Sequence, residues 1–243
     1  MCSSDLTVGA RSAEFAGWLY RDCGTPDLAD YWRDRAMEWA QAAGDSGMQG
    51  YVLLKKSQAA WDQRDAIRMF TLAEAVQGGT YQVPTKVQAE AAQQQARGHA
   101  MLGDSFDLVQ RQLDQAHQLL AADAGTDSQM SPHYQAALLA MQTAICYYEA
   151  DRPAQAVAIY RSQLDKASFS RRDYGYFMAL QGSALAAAKE PDEAASVGLT
   201  AYSIATTTNS TRTLQELDRL VQQLDTWATR PAVRELRDAV LAY

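Results

Sequence analysis

The sequence is short of several things, and each shortage narrows what the chain can be. Cysteine is scarce: Cys2, Cys23 and Cys146 are odd in number and far apart. Such a set builds no disulfide framework, and a reducing cytoplasm suits it. Cys23 and Cys146 fall in helical patterns and read as small buried hydrophobes. No apolar run approaches the roughly 20 residues that span a bilayer. Met1 to Leu6 has no basic stretch followed by an apolar one, so no secretory signal is expected. A basic excess is missing too: 22 Lys and Arg stand against 29 Asp and Glu, a net charge of −7. Surfaces that neutralise phosphates carry the opposite balance, so this segment is expected to make no direct nucleic-acid contact and to bind no membrane.

Catalytic constellations are also missing. Gly44-Asp45-Ser46-Gly47 and Gly103-Asp104-Ser105-Phe106 imitate the surroundings of hydrolase serines. That chemistry needs a strand leading into the Ser, with a His and an Asp placed around it. Both strings lie between helical patterns, where Gly ends one helix and Asp or Ser begins the next. His99, His117 and His133 show no metal-ligand spacing with cysteine or with one another. No glycine-rich phosphate loop follows a strand. The chain is therefore expected to be no enzyme, with no metal and no cofactor.

What the sequence does have is helix. Ala and Gln abound while Val, Ile and Phe are few, and the former lose little entropy on becoming helical. No stretch alternates with period two for long enough to make a strand. Six prolines (Pro26, Pro84, Pro132, Pro153, Pro191 and Pro231) each fall between two helical patterns and none inside one. Thr25-Pro26-Asp27 and Ser131-Pro132 read as an N-cap followed by the first turn. Apolar spacing of three and four residues predicts twelve helices, paired as hairpins. The pairs are 7–22 with 27–43, 46–62 with 65–77, 85–102 with 105–121, 132–149 with 153–167, 171–188 with 191–207, and 210–226 with 232–242. The stretch 122–131 is the longest polar linker and reads as a flexible loop.

The pairs repeat, and here the chain resembles the tetratricopeptide repeat. Gly17 and Tyr20 precede Ala29, Trp32 and Ala36; Ala66, Phe70 and Ala73 take the second-helix places of the next pair. Val109, Leu113 and Ala116 follow, then Ala144 and Tyr147 with Ala156, Tyr160 and Leu164, then Gly182 and Leu185 with Ala194, Gly198 and Ala201, then Ala232, Leu236 and Ala239. A small residue lets the two helices of a hairpin approach, and no hairpin buries its apolar face alone. Leu54 and Arg97 depart from the pattern at small positions, and the repeats are longer than the family's roughly 34 residues. The resemblance implies an all-α fold: an α-solenoid of about six antiparallel hairpins in a right-handed superhelix, covering 7–243, with 1–6 as an unstructured or artefactual start. Trp18, Trp32, Trp39 and Trp61 concentrate in the first two pairs, where the densest core is expected.

In such an array the first helix of each pair lines a concave groove. By the repeat register Arg11, Glu14, Trp18 and Arg21 reach it from the first pair, and Tyr51, Lys55 and Gln58 from the second. Gln94 and Met101 follow, then Met141, Ile145 and Tyr148, and finally Tyr176. Charges and amides there suit a peptide backbone, while Tyr, Trp and Met suit its apolar side chains, so the expected partner is a peptide or protein segment.

A second resemblance is more particular. Trp18-Leu19, Ala29-Asp30-Tyr31-Trp32, Asp34-Arg35-Ala36, Glu38-Trp39-Ala40 and the run Gln49 to Gln58 look like the repeat region of actinobacterial helix-turn-helix (Xre-type) transcriptional regulators. Glu90-Ala91-Ala92-Gln93-Gln94, Arg97-Gly98-His99-Ala100 and Leu102-Gly103 extend it. That resemblance implies a sensor module that binds a partner or effector and promotes homodimerisation, behind an N-terminal DNA-binding domain. No tri-helical basic unit precedes residue 7, so the expectation is that Met1 is not the true start and that this domain is missing. The alternative is a free-standing adaptor that assembles other proteins.

Overall fold

The computed structural model describes residues 3–123 and 130–242, and among them every regular element is helical, with no strand. The helices are α1 (Ser3–Asp22), α2 (Pro26–Ala43), α3 (Ser46–Asp62), α4 (Ala66–Gln77), α5 (Thr85–Leu102), α6 (Phe106–Ala122), α7 (Ala136–Glu149), α8 (Pro153–Gln163), α9 (Arg171–Ala187), α10 (Pro191–Thr208), α11 (Thr211–Gln223) and α12 (Pro231–Leu241). Short 3-10 turns occupy Lys166–Ser168 and Asp225–Trp227. The all-α expectation holds, and most predicted boundaries fall within a residue or two.

Local chemistry explains that agreement. Pro26, Pro153, Pro191 and Pro231 open α2, α8, α10 and α12, where a missing N–H costs nothing. Asp45 accepts from the Met48 amide at 2.9 Å and Asp65 from the Arg68 amide at 2.9 Å, satisfying first-turn donors of α3 and α4. Gly44 and Gly103 end α2 and α5 at φ of 68° and 74°, a left-handed cap that glycine adopts without a Cβ clash. The two serine-hydrolase imitations are thus helix-to-helix turns.

Several expectations need correction. α1 begins at Ser3, so Ser3 to Leu6 are helical; Met1 and Cys2 lie outside the described residues. Of the 122–131 linker, 124–129 lie outside them as well. Thr25 stands at the predicted cap position, but its hydroxyl donates back to the Tyr20 carbonyl at 2.9 Å. Ser131 caps nothing: α7 starts at Ala136, and Ser131 is buried with φ of 51°. A residue before proline is steered away from helix, and the Ser131 hydroxyl is taken by Glu90. α8 stops at Gln163, which leaves Leu164 at the cap. Cys146 is buried as expected, but Cys23 lies beyond the end of α1 and is exposed. Of the four clustered tryptophans only Trp61 is fully buried, and Trp18 is 42% exposed.

The chain forms two compact units. The first comprises Met1–Arg21 and Thr25–Gln142, the second Asp22–Gly24 and Thr143–Tyr243. In the first unit each of α2 to α5 packs on its successor, and α3 also packs on α5. A Cβ on Gly17 would stand 3.0 Å from Arg33 Cγ and 3.1 Å from the Ala29 carbonyl oxygen, so glycine is what lets α1 and α2 cross closely there. Helix α5 is enclosed by α3, α4 and α6, and every residue from Ala89 to Gly98 is buried. In the second unit α9 packs on α8, α10 and α11, and α10 and α11 both pack on α12. The small positions Ala194, Ala201 and Ala205 are fully buried along α10.

Candidate functional site

One face of α1, α3 and α5 in the first unit carries an unusual share of buried polar groups. The spacing that puts them there is helical. Glu14 and Arg21 are two turns apart on α1, Tyr51, Lys55, Gln58 and Asp62 follow steps of four, three and four on α3, and Glu90, Gln94, Arg97 and Met101 repeat the same steps on α5.

The side chains join the helices. Arg21 forks onto Asp62, with Nη2 donating to Oδ1 at 2.8 Å and to the Gln58 carbonyl at 3.3 Å, and so ties α1 to α3. Lys55 Nζ lies 3.5 Å from Glu90 Oε1 and 3.4 Å from Gln58 Oε1, and sits 4.8 Å from the Tyr51 ring centre. The Gln58 amide and the Ser131 hydroxyl both donate to Glu90, and the Ser131 backbone hydrogen bonds the Tyr51 hydroxyl. Arg97 lies over the Trp61 ring at 4.8 Å and donates to Gln142.

These groups perturb one another. Burial opposes the Lys55 ammonium, yet Glu90, Tyr51 and Glu14 together hold its pKa above the ordinary lysine value. Burial also works against the Glu90 carboxylate, and Lys55, His133, Ser131 and Gln58 outweigh it and hold its pKa below the ordinary one. For Glu14 burial wins: its pKa is raised, with Lys55 and Arg33 offsetting only part of the effect. Burial likewise lowers the Arg33 guanidinium and raises the Tyr51 phenol. The network is not closed. Gln94 Oε1, Arg33 Nε and Arg97 Nε are buried with no hydrogen-bond partner, and Glu14 makes no ion pair or hydrogen bond among the described residues. A buried acceptor or donor in that condition is expensive unless a ligand or water completes it.

The residues assigned to a groove from sequence therefore divide. Glu14, Tyr51, Lys55 and Gln58 come together around Glu90, Arg21 joins them through Asp62 and the Gln58 carbonyl, and Gln94 continues their face on α5. Arg11 and Trp18 lie on the exposed surface of α1, with Trp18 stacked on Phe15 at 5.8 Å. Met101 is half-buried at the far end of α5. Met141 and Ile145 are core side chains of α7. Tyr148 is half-buried, and its hydroxyl accepts from the Gln223 amide. Tyr176 is buried beneath the Arg212 guanidinium, 3.8 Å from its ring centre. These four α7 and α9 positions pack within the protein where an open lining was expected.

Glu90, Asp62, Arg97, Arg33 and Ser131 complete the cluster and were absent from the sequence assignment. The signal for two of them was available, because Glu90 and Arg97 share the helical spacing of Gln94 and Met101. No cluster of three or more His, Cys, Asp or Glu among the described residues could hold a metal ion, and no described helix is long and apolar enough to cross a membrane. No protein-family model matches the sequence, and no curated protein matches it.

Proposed function

We propose that this chain is a tetratricopeptide-like repeat module that binds a peptide segment along the α1, α3 and α5 face, acting by recognition and not by catalysis. The observation that carries the reading is the convergence of Glu14, Arg21, Tyr51, Lys55, Gln58 and Glu90 from three alternate helices onto one face, with buried polar atoms left unpaired beside them. A peptide supplies both donors and acceptors along its backbone, which is what Gln94 Oε1, Arg33 Nε and Arg97 Nε lack. The packing of α3 on α5, α9 on α11 and α10 on α12 supports the repeat character, since alternate helices meet in that architecture.

A role as the sensor part of a transcriptional regulator is supported by the sequence resemblance alone. Finding an in-frame helix-turn-helix coding region upstream of Met1 in the source genome would support that role, and finding a stop codon there would favour the adaptor alternative.

The binding reading is tested by selecting ligands from a random peptide display library and measuring them by calorimetry. Trp18→Ala alters an exposed side chain and Glu14→Gln one that makes no hydrogen bond or ion pair among the described residues, so both are expected to keep the fold. Each is expected to weaken a selected peptide by roughly tenfold, the worth of one lost anchor of ~1.4 kcal/mol. Unchanged affinity in both variants, at unchanged helix content, removes α1 from the site.

A further inference from the structure

The α3 and α5 half of the site already holds a length of chain. Residues Met130 to Tyr134 form no helix, lie between α6 and α7, and are fixed at three points. Met130 packs against the core that contains Met48, Tyr51 and Val87. Tyr134, with no exposed surface, packs among Ala89, Ala92, Ala116 and Leu139. Between them Ser131 is fully buried, its hydroxyl donating to Glu90 and its backbone hydrogen bonded to Tyr51. The arrangement is that of a bound peptide: apolar anchors on either side, and a polar residue read by the network at the centre.

Its backbone carries a cost. Ser131 stands at φ of 51°, a conformation that L side chains adopt rarely and that persists only where surroundings enforce it. The contacts that hold it are the hydroxyl's bond to Glu90 and the carbonyl's bond from the Tyr134 amide at 3.0 Å. Neighbouring Pro132 and His133 are exposed; the Pro132 carbonyl accepts from the Gln135 side-chain amide at 3.3 Å, and His133 acts on the Glu90 carboxylate.

The geometry points to an internal occupant. Met130 to Tyr134 covers Tyr51, Lys55 and Glu90 as a resident pseudo-ligand, and the ligand taken there is a peptide that brings a Ser or Thr hydroxyl to Glu90 in place of Ser131. This rests on the peptide-binding reading and adds the chemical class of the ligand and the segment it must displace. The observed affinity of such a peptide is its intrinsic affinity reduced by the fraction of molecules whose strap is released. Weakening the strap therefore tightens binding without any new contact.

The test uses the full chain and a synthetic peptide of residues 130–137 (Met-Ser-Pro-His-Tyr-Gln-Ala-Ala), added in trans. In Ser131→Ala the strap loses its bond to Glu90. Its amides are expected to exchange with deuterium faster than in the wild type, and the peptide to bind roughly tenfold or more tighter by calorimetry. The same peptide with Ala in place of its Ser is expected not to bind. If Ser131→Ala loses helix content, Pro132→Gly loosens the strap at an exposed position and is read in the same two ways. Faster strap exchange with no gain in peptide affinity overturns the proposal, as does strap exchange that stays at the wild-type rate. Should the strap peptide bind the loosened variant while no displayed peptide binds the wild type, the resident pseudo-ligand stands and the reading of an open peptide site in the wild type falls.

Discussion

Along α3 and α5 the first unit holds buried Lys55 and Glu90 and half-buried Gln58 within hydrogen-bond reach of one another, whereas α9 and α11 of the second unit meet through Gly182 and Leu220 and, toward one end, through Arg212 on Tyr176 and Asp173. A Cβ on Gly182 would stand 2.7 Å from Leu220 Cδ2, so that contact is close apolar packing. Ion pairs of the second unit such as Arg161 with Glu190 and Glu193, or Arg230 with Asp192, lie on its surface, where solvent screens them. Apolar packing stabilises without direction. A buried charge network costs desolvation and repays it only in one geometry. On the proposed reading, the directional network of the first unit is what would discriminate between occupants.

The sharpest way to break this contrast is to remove one partner of the buried pair. Glu90→Ala leaves the Lys55 ammonium buried, and stranding a charge in this way costs about 3–5 kcal/mol. Four of the five tryptophans, Trp18, Trp32, Trp39 and Trp61, belong to the first unit, so its unfolding is read by fluorescence in a denaturant titration. A loss within the ~1 kcal/mol range of exposed pairs would mean that Lys55 and Glu90 behave as surface charges.

The counterpart in the second unit is steric. Ala194 is fully buried, and its carbonyl oxygen would stand 3.4 Å from a Cβ on Gly182. Ala194→Trp inserts an indole into that contact, and overpacking of this kind costs about 1–3 kcal/mol. The loss is expected in faster amide exchange along α9 and α10. An unchanged thermal midpoint would mean that α9 and α10 have room to separate, and the contrast between the units would lose its second half.

Helix limits were legible because their causes are local. A proline at N1, an Asp accepting from an amide three residues on, and a glycine with positive φ all act within one turn of the residues that reveal them. The close approach at Gly17 was legible for the same reason, since the small residue recurs at a fixed place in the pair. Ser131 was misread because its determinant is remote: Ser131-Pro132 resembles a cap, and nothing within a turn of it indicates that Glu90, 41 residues earlier, takes the hydroxyl. The α7 positions failed differently. Met141 and Ile145 obey the helical register of a first helix, but register fixes which side a residue faces and not what covers that side. Glu90 and Arg97 could have been assigned from spacing. A carboxylate and a guanidinium inside an Ala- and Gln-rich helix contradict the usual apolar interior, and such a contradiction marks a position worth assigning.

The smallest expected effect separates two carboxylates of the same network. Glu90 has a depressed pKa in the folded protein, so its ionised form adds stability above the ordinary carboxylate range, and that contribution is lost as pH falls through its folded value. Glu14 has the opposite sign. Burial raises its pKa, so between the ordinary value and the raised one the folded state binds more protons than the unfolded state, and stability falls as pH rises across that window. Glu14→Gln removes the penalty and keeps the shape. The variant is expected to melt slightly above the wild type at neutral pH and together with it below about pH 4, where the unfolded carboxyl is also protonated. The gain is small because Lys55 and Arg33 already offset part of the burial. Thermal midpoints taken across pH decide it. A variant that melts lower at neutral pH would mean that the Glu14 carboxylate supports the fold, and it could then no longer be counted among the groups held open for a ligand.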